Sequence, residues 1–254
     1  MSKWAVVTGA TAGIGESFTR ILAHDGFNIV LVARDLERMK ERAAHLESQF
    51  KVQTAIIQAD LATDDGCAKV EKYLRENQIE VLINNAGFGI NKAFSVSDVN
   101  AEQQLLDVLV RTPMRLMHTV IPQMKERNSG SIINVSSVAG WIAGGTYSAS
   151  KSYLTVLSES LHTEMNGTGV KISALCPGFT RTEFHERGRM RMNGLPEFMW
   201  LSADRVVADS WRAAMAGKAI CIPGWQYKIL STIARFGPRP LVRKLGIKVR
   251  ARQR

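Results

Sequence analysis

Short runs of β-branched and other apolar residues alternate along the chain with stretches whose apolar positions recur at helical spacing. The strand-type runs fall at 4–8, 28–33, 52–59, 81–84, 131–135, 170–176 and 219–222. Helix-type stretches fall at 15–25, 35–48, 64–77, 100–126, 147–166 and 202–216. Apolar runs that do not alternate with polar residues suit strands covered on both faces, and their alternation with helices is the βαβ pattern. The sequence therefore predicts an α/β fold: a single doubly wound, parallel, seven-stranded sheet of Rossmann type flanked by helices. Ligands in such sheets bind beyond the carboxyl ends of the strands. With no repeat or linker in view, residues 1–224 read as one domain and 225–254 as a basic amphipathic C-terminal tail.

Composition narrows the function classes. A chain of 254 residues, 45% hydrophobic and 22% charged, can bury a sizeable core in one domain. No apolar run approaches the roughly 18 residues that cross a bilayer, and Trp4-Ala5-Val6-Val7 reads as a strand rather than a signal peptide. Cys67, Cys176 and Cys221 are widely spaced and read as free thiols in a reducing compartment, so a cytoplasmic protein is expected. Neither these cysteines nor His24, His45, His118, His162 and His185 have metal-ligand spacing, and no metal is expected. The formal charge of +10 is concentrated: residues 225–254 hold nine Lys/Arg and no acid, leaving 24 basic against 23 acidic residues elsewhere. That tail lacks aromatic interleaving or a recognised module, which argues against nucleic acid.

The first strand runs into Thr8-Gly9-Ala10-Thr11-Ala12-Gly13-Ile14-Gly15 and then a helix. Glycines there permit a tight turn and let backbone N–H groups and a helix N-terminus approach a pyrophosphate, although a plain βα turn would use them too. The second strand ends Ala33-Arg34-Asp35. An acid at the tip would bind an adenosine ribose, whereas Arg34 suits a 2′-phosphate, which favours NADP(H) over NAD(H). Asp35 is placed either for the ribose or to cap the next helix. Asp60-Leu61 and Asn84-Asn85-Ala86-Gly87 follow strands and are open to a cofactor or a turn reading. In Tyr147-Ser148-Ala149-Ser150-Lys151 the spacing puts Tyr147 and Lys151 on one helix face, where an ammonium can ease ionisation of a phenol. Upstream, Asn134-Val135-Ser136-Ser137 ends a strand with a hydroxyl placed for a substrate oxygen.

In this order the motifs resemble the short-chain dehydrogenase/reductase family over residues 4–182. The resemblance implies a cofactor site built from Gly9, Thr11, Gly13, Ile14, Gly15, Arg34, Asp60, Leu61, Asn85, Ala86, Gly87, Pro177, Gly178 and Thr182, with Tyr147 and Lys151 at the nicotinamide ribose. It implies a catalytic set in which Ser137 orients a carbonyl, Tyr147 gives or takes the proton, and Lys151 lowers the tyrosine pKa. The implied activity is interconversion of a carbonyl and a secondary alcohol with NADP(H), as in long-chain 3-oxoacyl and hydroxysteroid reductases. It also implies a homodimer or homotetramer built on helices near 100–126 and 147–166. Two departures stand out. Leu109 occupies a position where members carry an asparagine thought to seat a relay water, and Ser137 precedes Tyr147 by ten residues, a shorter loop than usual. A cofactor-binding sensor or interaction protein with little turnover is the alternative that these departures raise.

Residues 183–201, rich in Met190, Met192, Phe198, Met199 and Trp200, fall where members keep a substrate lid, and suit an apolar substrate or ordinary packing. In the tail, Ile229, Leu230, Ile233 and Phe236 recur at helical spacing beside Lys228 and Arg235, followed by Leu241-Val242-Arg243-Lys244-Leu245. Such a segment can cover a pocket, join subunits, or meet a membrane surface or an acidic carrier.

Overall fold

The computed structural model describes residues 3–188, 195–240 and 242–244. The apolar runs form β1 (Trp4–Thr8), β2 (Asn28–Ala33), β3 (Thr54–Gln58), β4 (Val81–Asn84), β5 (Gly130–Val135) and β6 (Val170–Leu175). After the two-residue β7 (Thr180–Arg181) and β8 (Leu201–Ser202) comes β9 (Ile220–Cys221). Seven strands make one parallel sheet in the order β3-β2-β1-β4-β5-β6-β9, as the periodicity predicts. The chain winds outward from β1 through β2 to β3, then returns to β4 on the other side of β1. Neighbouring crossovers therefore diverge at the carboxyl ends of β1 and β4 and leave a crevice there.

The helices are α1 (Gly13–His24), α2 (Leu36–Phe50), α3 (Asp64–Glu76), α4 (Val99–Leu106), α5 (Thr112–Glu126), α6 (Thr146–Glu164), α7 (Phe184–Arg187), α8 (Ala203–Met215) and α9 (Trp225–Phe236). Their starts follow capping chemistry: Asp35 accepts from Arg38 N at 3.1 Å and Thr63 from Gly66 N at 3.0 Å. Apolar side chains cover both sheet faces. Phe18, Leu22, Met39 and Trp211 fill one core with Tyr227, and Val70, Leu74, Leu116, Val120 and Leu154 fill the other. No described helix is long and apolar enough to cross a membrane.

Two features differ from the periodicity reading. The single helix expected over 100–126 is interrupted by a π-helical turn at Asp107–Arg111, where Thr112 N bonds Asp107 O. Pro113 lacks an N–H at the start of α5, and the wider turn absorbs the extra residue. The parallel β7–β8 pair was not expected, because two-residue strands carry no readable alternation.

Although the sequence sets 225–254 apart, α9 sends Tyr227 into the same core as Phe18. Truncation by Tyr227→Ala is expected to cost about 3–5 kcal/mol, the range for a large buried ring replaced by a cavity. Urea unfolding measures this, and a loss below about 1 kcal/mol would mean α9 is not part of the folded unit.

Candidate active site

The crevice is framed by the glycine turn after β1 and the polar end of β4. Thr8 ties the two together: its Oγ1 donates to Ile83 O and accepts from Asn85 N at 2.9 Å and Ala86 N at 3.0 Å. Asn85 Nδ2 donates to Thr8 O and Gly9 O, so this side chain holds the turn itself. Gly9 (φ +65°) and Gly13 (φ +57°) lie in the left-handed region, where a side chain is strained. At Gly15 an added Cβ would sit 2.2 Å from Gly9 O, and at Gly13 it would sit 2.8 Å from the Thr182 side chain. Thr11 and Ala10 are buried, and Ile14 packs on the core. The result is a narrow backbone cradle at the N-terminus of α1, where no side chain caps the free N–H groups. Such a cradle fits a pyrophosphate.

Flanking residues resolve some alternatives. The Asp35 carboxylate caps α2, while Arg34 beside it is exposed and has no carboxylate partner among the described residues. Asp60 stabilises its own turn by accepting from Ala62 N at 3.1 Å, and Leu61 O accepts from Thr112 Oγ1 at 2.8 Å. Gly87 lies against Leu109: a Cβ there would be 2.8 Å from Leu109 Cδ2 and 3.9 Å from Lys151 Nζ. Leu109 thus places an apolar side chain in the neighbourhood of Gly87 from within the π-helical turn.

Across the crevice, α6 presents Tyr147 in its first turn and Lys151 one turn later. Lys151 is buried, and its Nζ donates to Val135 O at 2.6 Å. Its own carbonyl accepts from Ser136 Oγ at 2.7 Å, and Ser136 also meets Thr155 Oγ1 at 2.7 Å. Asn134 Nδ2 donates to Ser158 Oγ at 2.8 Å, and Asn84 Nδ2 to Asn134 Oδ1 at 2.8 Å, a buried polar ladder joining β4, β5 and α6. Ser137 opens the short turn Val138–Trp141, accepting from Ala139 N at 3.1 Å and donating to Pro177 O at 3.5 Å. That turn lies directly on α6: a Cβ at Gly140 would be 3.0 Å from the Lys151 backbone. The shorter loop therefore keeps Ser137 beside the helix that carries Tyr147.

The Lys151 ammonium lies 5.7 Å from the centre of the Tyr147 ring. Burial pushes Tyr147 up to about 12 against an opposing hydrogen bond from Ser137, and burial brings Lys151 down to about 8. Desolvation penalises the charged form of each, phenolate and ammonium.

Three side chains in the site were not anticipated. Phe184 packs against Tyr147 with ring centres 5.9 Å apart. Tyr227 comes from α9 and closes the loop after β6. A Cβ on Gly178 would be 2.0 Å from Tyr227 Cζ, and the Tyr227 hydroxyl accepts from Phe179 N at 3.0 Å and donates to Met199 O. Arg38 grips Glu183 with two bonds, 2.9 and 2.6 Å, tying α2 to the segment after Thr182. Only the glycine in Pro177-Gly178 hinted at such a close approach. Met199 and Trp200 wall the same region, with Trp200 between Phe179 and Arg181, while Phe198 is exposed. Met190 and Met192 lie outside the described residues, as do Leu241 and Leu245. No group of metal-binding side chains occurs among the described residues.

A glycine cradle at a sheet switch point, facing a half-buried Tyr147 and a buried Lys151, defines a Rossmann-type oxidoreductase. The chain belongs to the short chain dehydrogenase family, whose model matches residues 3–192. It is 29% identical over 242 residues to the human very-long-chain 3-oxoacyl-CoA reductase, covering 89% of this chain and 78% of that protein. A short-chain dehydrogenase from Sphingobium yanoikuyae in complex with NADPH superposes with a TM-score of 0.84 at 30% identity, covering 91% and 92% of the two chains. The bulky-bulky ketone specific alcohol dehydrogenase from Comamonas testosteroni superposes with a TM-score of 0.80 at 31% identity, covering 91% of each chain.

Proposed function

We propose that this oxidoreductase reduces an apolar ketone or 3-oxoacyl group to a secondary alcohol with NADPH, using Tyr147 as the acid. The observation that carries the reading is the placement of Tyr147 on α6, one helical turn before the buried Lys151 and with its ring centre 5.7 Å from that ammonium, across from the glycine cradle. A group that must give a proton to a developing alkoxide has to be protonated at working pH, as a phenol is near neutrality.

In this reading Gly9, Thr11, Gly13, Ile14 and Gly15 cradle the pyrophosphate, and Asp60, Leu61, Asn85, Ala86 and Gly87 line the adenosine side. Pro177, Gly178 and Thr182 border the nicotinamide. The coenzyme, when bound, supplies hydride from nicotinamide C4 to the carbonyl carbon. Ser137 and Tyr147 hold the carbonyl oxygen, Tyr147 passes its proton to that oxygen, and Lys151 holds the ribose hydroxyls. NADPH is favoured over NADH because Arg34 is free to meet a 2′-phosphate while Asp35 is engaged as a helix cap. The human relative and the ketone-specific neighbour support a bulky apolar substrate, as do Phe184 and Trp200 near the crevice. The reading extends to a homodimer or homotetramer and to contact of 225–254 with an anionic partner. An apolar groove of about 510 Å³ between α5 and α6, lined by Met114, Met117, Ile121, Pro122, Leu157 and Leu161, supports the oligomer.

Purified protein is expected to consume NADPH faster than NADH with hydrophobic ketones and 3-oxoacyl thioesters. Tyr147→Phe should lower kcat by roughly 10²–10⁴-fold with NADPH binding retained. Equal turnover in both proteins would remove the tyrosine mechanism; NADPH binding without turnover in either would favour the sensor reading. A second expectation concerns pH. Lys151 titrates near 8, so it is charged below that value and neutral above it. Fluorescence-monitored NADPH affinity should be flat up to about pH 8 and fall up to roughly tenfold per unit beyond, and Lys151→Met should flatten this dependence. Affinity that is constant from neutral to alkaline pH would contradict the ribose role. For the oligomer, light scattering should give two or four times 28.1 kDa, with Met114→Glu shifting it towards the monomer. A monomeric wild type would refute that part.

A further inference from the structure

The outward face of α9 has the reverse of the usual surface pattern. Its inner positions Gln226, Tyr227, Ser231 and Ala234 are buried. Trp225, Ile229, Ile233 and Phe236, spaced to share one face, are 66%, 53%, 48% and 80% exposed. Phe198 adds another apolar side chain, 61% exposed, and its carbonyl accepts from Gln226 Nε2 at 2.8 Å. Single exposed apolar residues are ordinary, but large ones repeated along a helix face mark a contact surface.

The surroundings indicate what that contact is. Lys228 and Arg235 lie on α9 beside the apolar face, Arg239, Arg243 and Lys244 follow it in sequence, and residues 225–254 contain no acid, although Glu159 on α6 lies 3.9 Å from Arg235. Arg235 stacks 5.4 Å from the Trp141 ring and 5.7 Å from the Phe236 ring, so its cation sits at the level of the aromatic groups. A second copy of this chain fits the face poorly. A two-fold contact would set Lys228 and Arg239 against their own copies with no carboxylate on α9 to answer them, Glu159 being taken up by Arg235 of the same chain. An anionic bilayer meets both halves of the pattern, with acyl chains for the apolar groups and lipid phosphates for the cations.

We propose that α9 docks the protein on an anionic bilayer surface, inserting Trp225, Ile229, Ile233, Phe236 and Phe198 to the headgroup–acyl boundary while Lys228 and Arg239 meet lipid phosphates. The position of α9 gives the docking a use. Its inner face closes the Gly178 loop through Tyr227 and Arg235 reaches Trp141 of the Ser137 turn, so the docked helix is itself part of the crevice wall. A substrate dissolved in the bilayer would enter there, a consequence that rests on the reductase reading.

The test is co-sedimentation of the full chain with phosphatidylcholine vesicles, with and without phosphatidylglycerol. Binding is read without turnover, so docking and the reductase reading can fail separately. Binding should require phosphatidylglycerol, weaken in high salt, and shift tryptophan emission to the blue. Trp225→Ser with Ile229→Ser should lower the partition coefficient at least about tenfold, and Lys228→Glu with Arg239→Glu roughly fivefold or more per cation. All four positions are exposed, so both variants should keep the wild-type unfolding midpoint; if the serine variant is destabilised, the charge variant decides. Wild type that does not sediment with anionic vesicles, or variants that sediment equally, would overturn the proposal. So would an apolar variant that turns a dimer into a monomer while no form binds vesicles, since the face would then belong to a second copy.

Discussion

An ammonium withdrawn from water must be held by oxygen atoms, and the hold on Lys151 organises the centre of this molecule. Its Nζ donates to the last carbonyl of β5, and its own carbonyl accepts from Ser136 at the end of the same strand. Together with the Asn84–Asn134–Ser158 ladder, these bonds fix the register of α6 against the sheet edge. Tyr147, one turn earlier, can then only face the crevice. Moving either residue would strand buried polar groups, which costs more than the individual bonds are worth. The pair is held in place by the fold around it rather than by attraction between its two members.

That distinction changes how the site's chemistry is understood. A tyrosine near a lysine can be made more acidic by the ammonium, whereas burial raises the Tyr147 pKa and lowers that of Lys151. A protonated phenol suits reduction, where a proton must be delivered to oxygen. Leu109 and Lys151 both lie close to Gly87, so a leucine side chain occupies the neighbourhood of that glycine.

Much of this was legible in the sequence, because the relevant signals are local. Apolar runs fixed by burial on two faces gave the sheet, and the glycines that need φ > 0 or close backbone approach gave the cradle. The four-residue spacing of Tyr147 and Lys151 carried over because helix geometry is regular. What was not legible depends on residues far apart in sequence. Tyr227 needs Gly178, and Arg38 needs Glu183; neither partner signals the other from its own neighbourhood. The β7–β8 pair is too short to show alternation, and the π-helical turn is a local answer to Pro113 within an otherwise regular apolar pattern. Charge proximity can be read from spacing, whereas desolvation depends on everything packed around the group. The cap at Asp35 lay between the two extremes: its position allowed two roles, and only the bond from Arg38 N decided that it caps the helix.

The central claim is that this crevice sets a carbonyl carbon against the nicotinamide while a neutral Tyr147 supplies the proton to oxygen. The most direct measurement is a single-turnover reduction of a hydrophobic ketone with NADPH deuterated at the transferring position of nicotinamide C4, analysed by mass spectrometry and NMR. The account predicts deuterium on the carbinol carbon, in one configuration, with the hydroxyl proton drawn from exchangeable positions. Carbinol hydrogen derived from solvent, or label retained on the oxidised coenzyme, would contradict it.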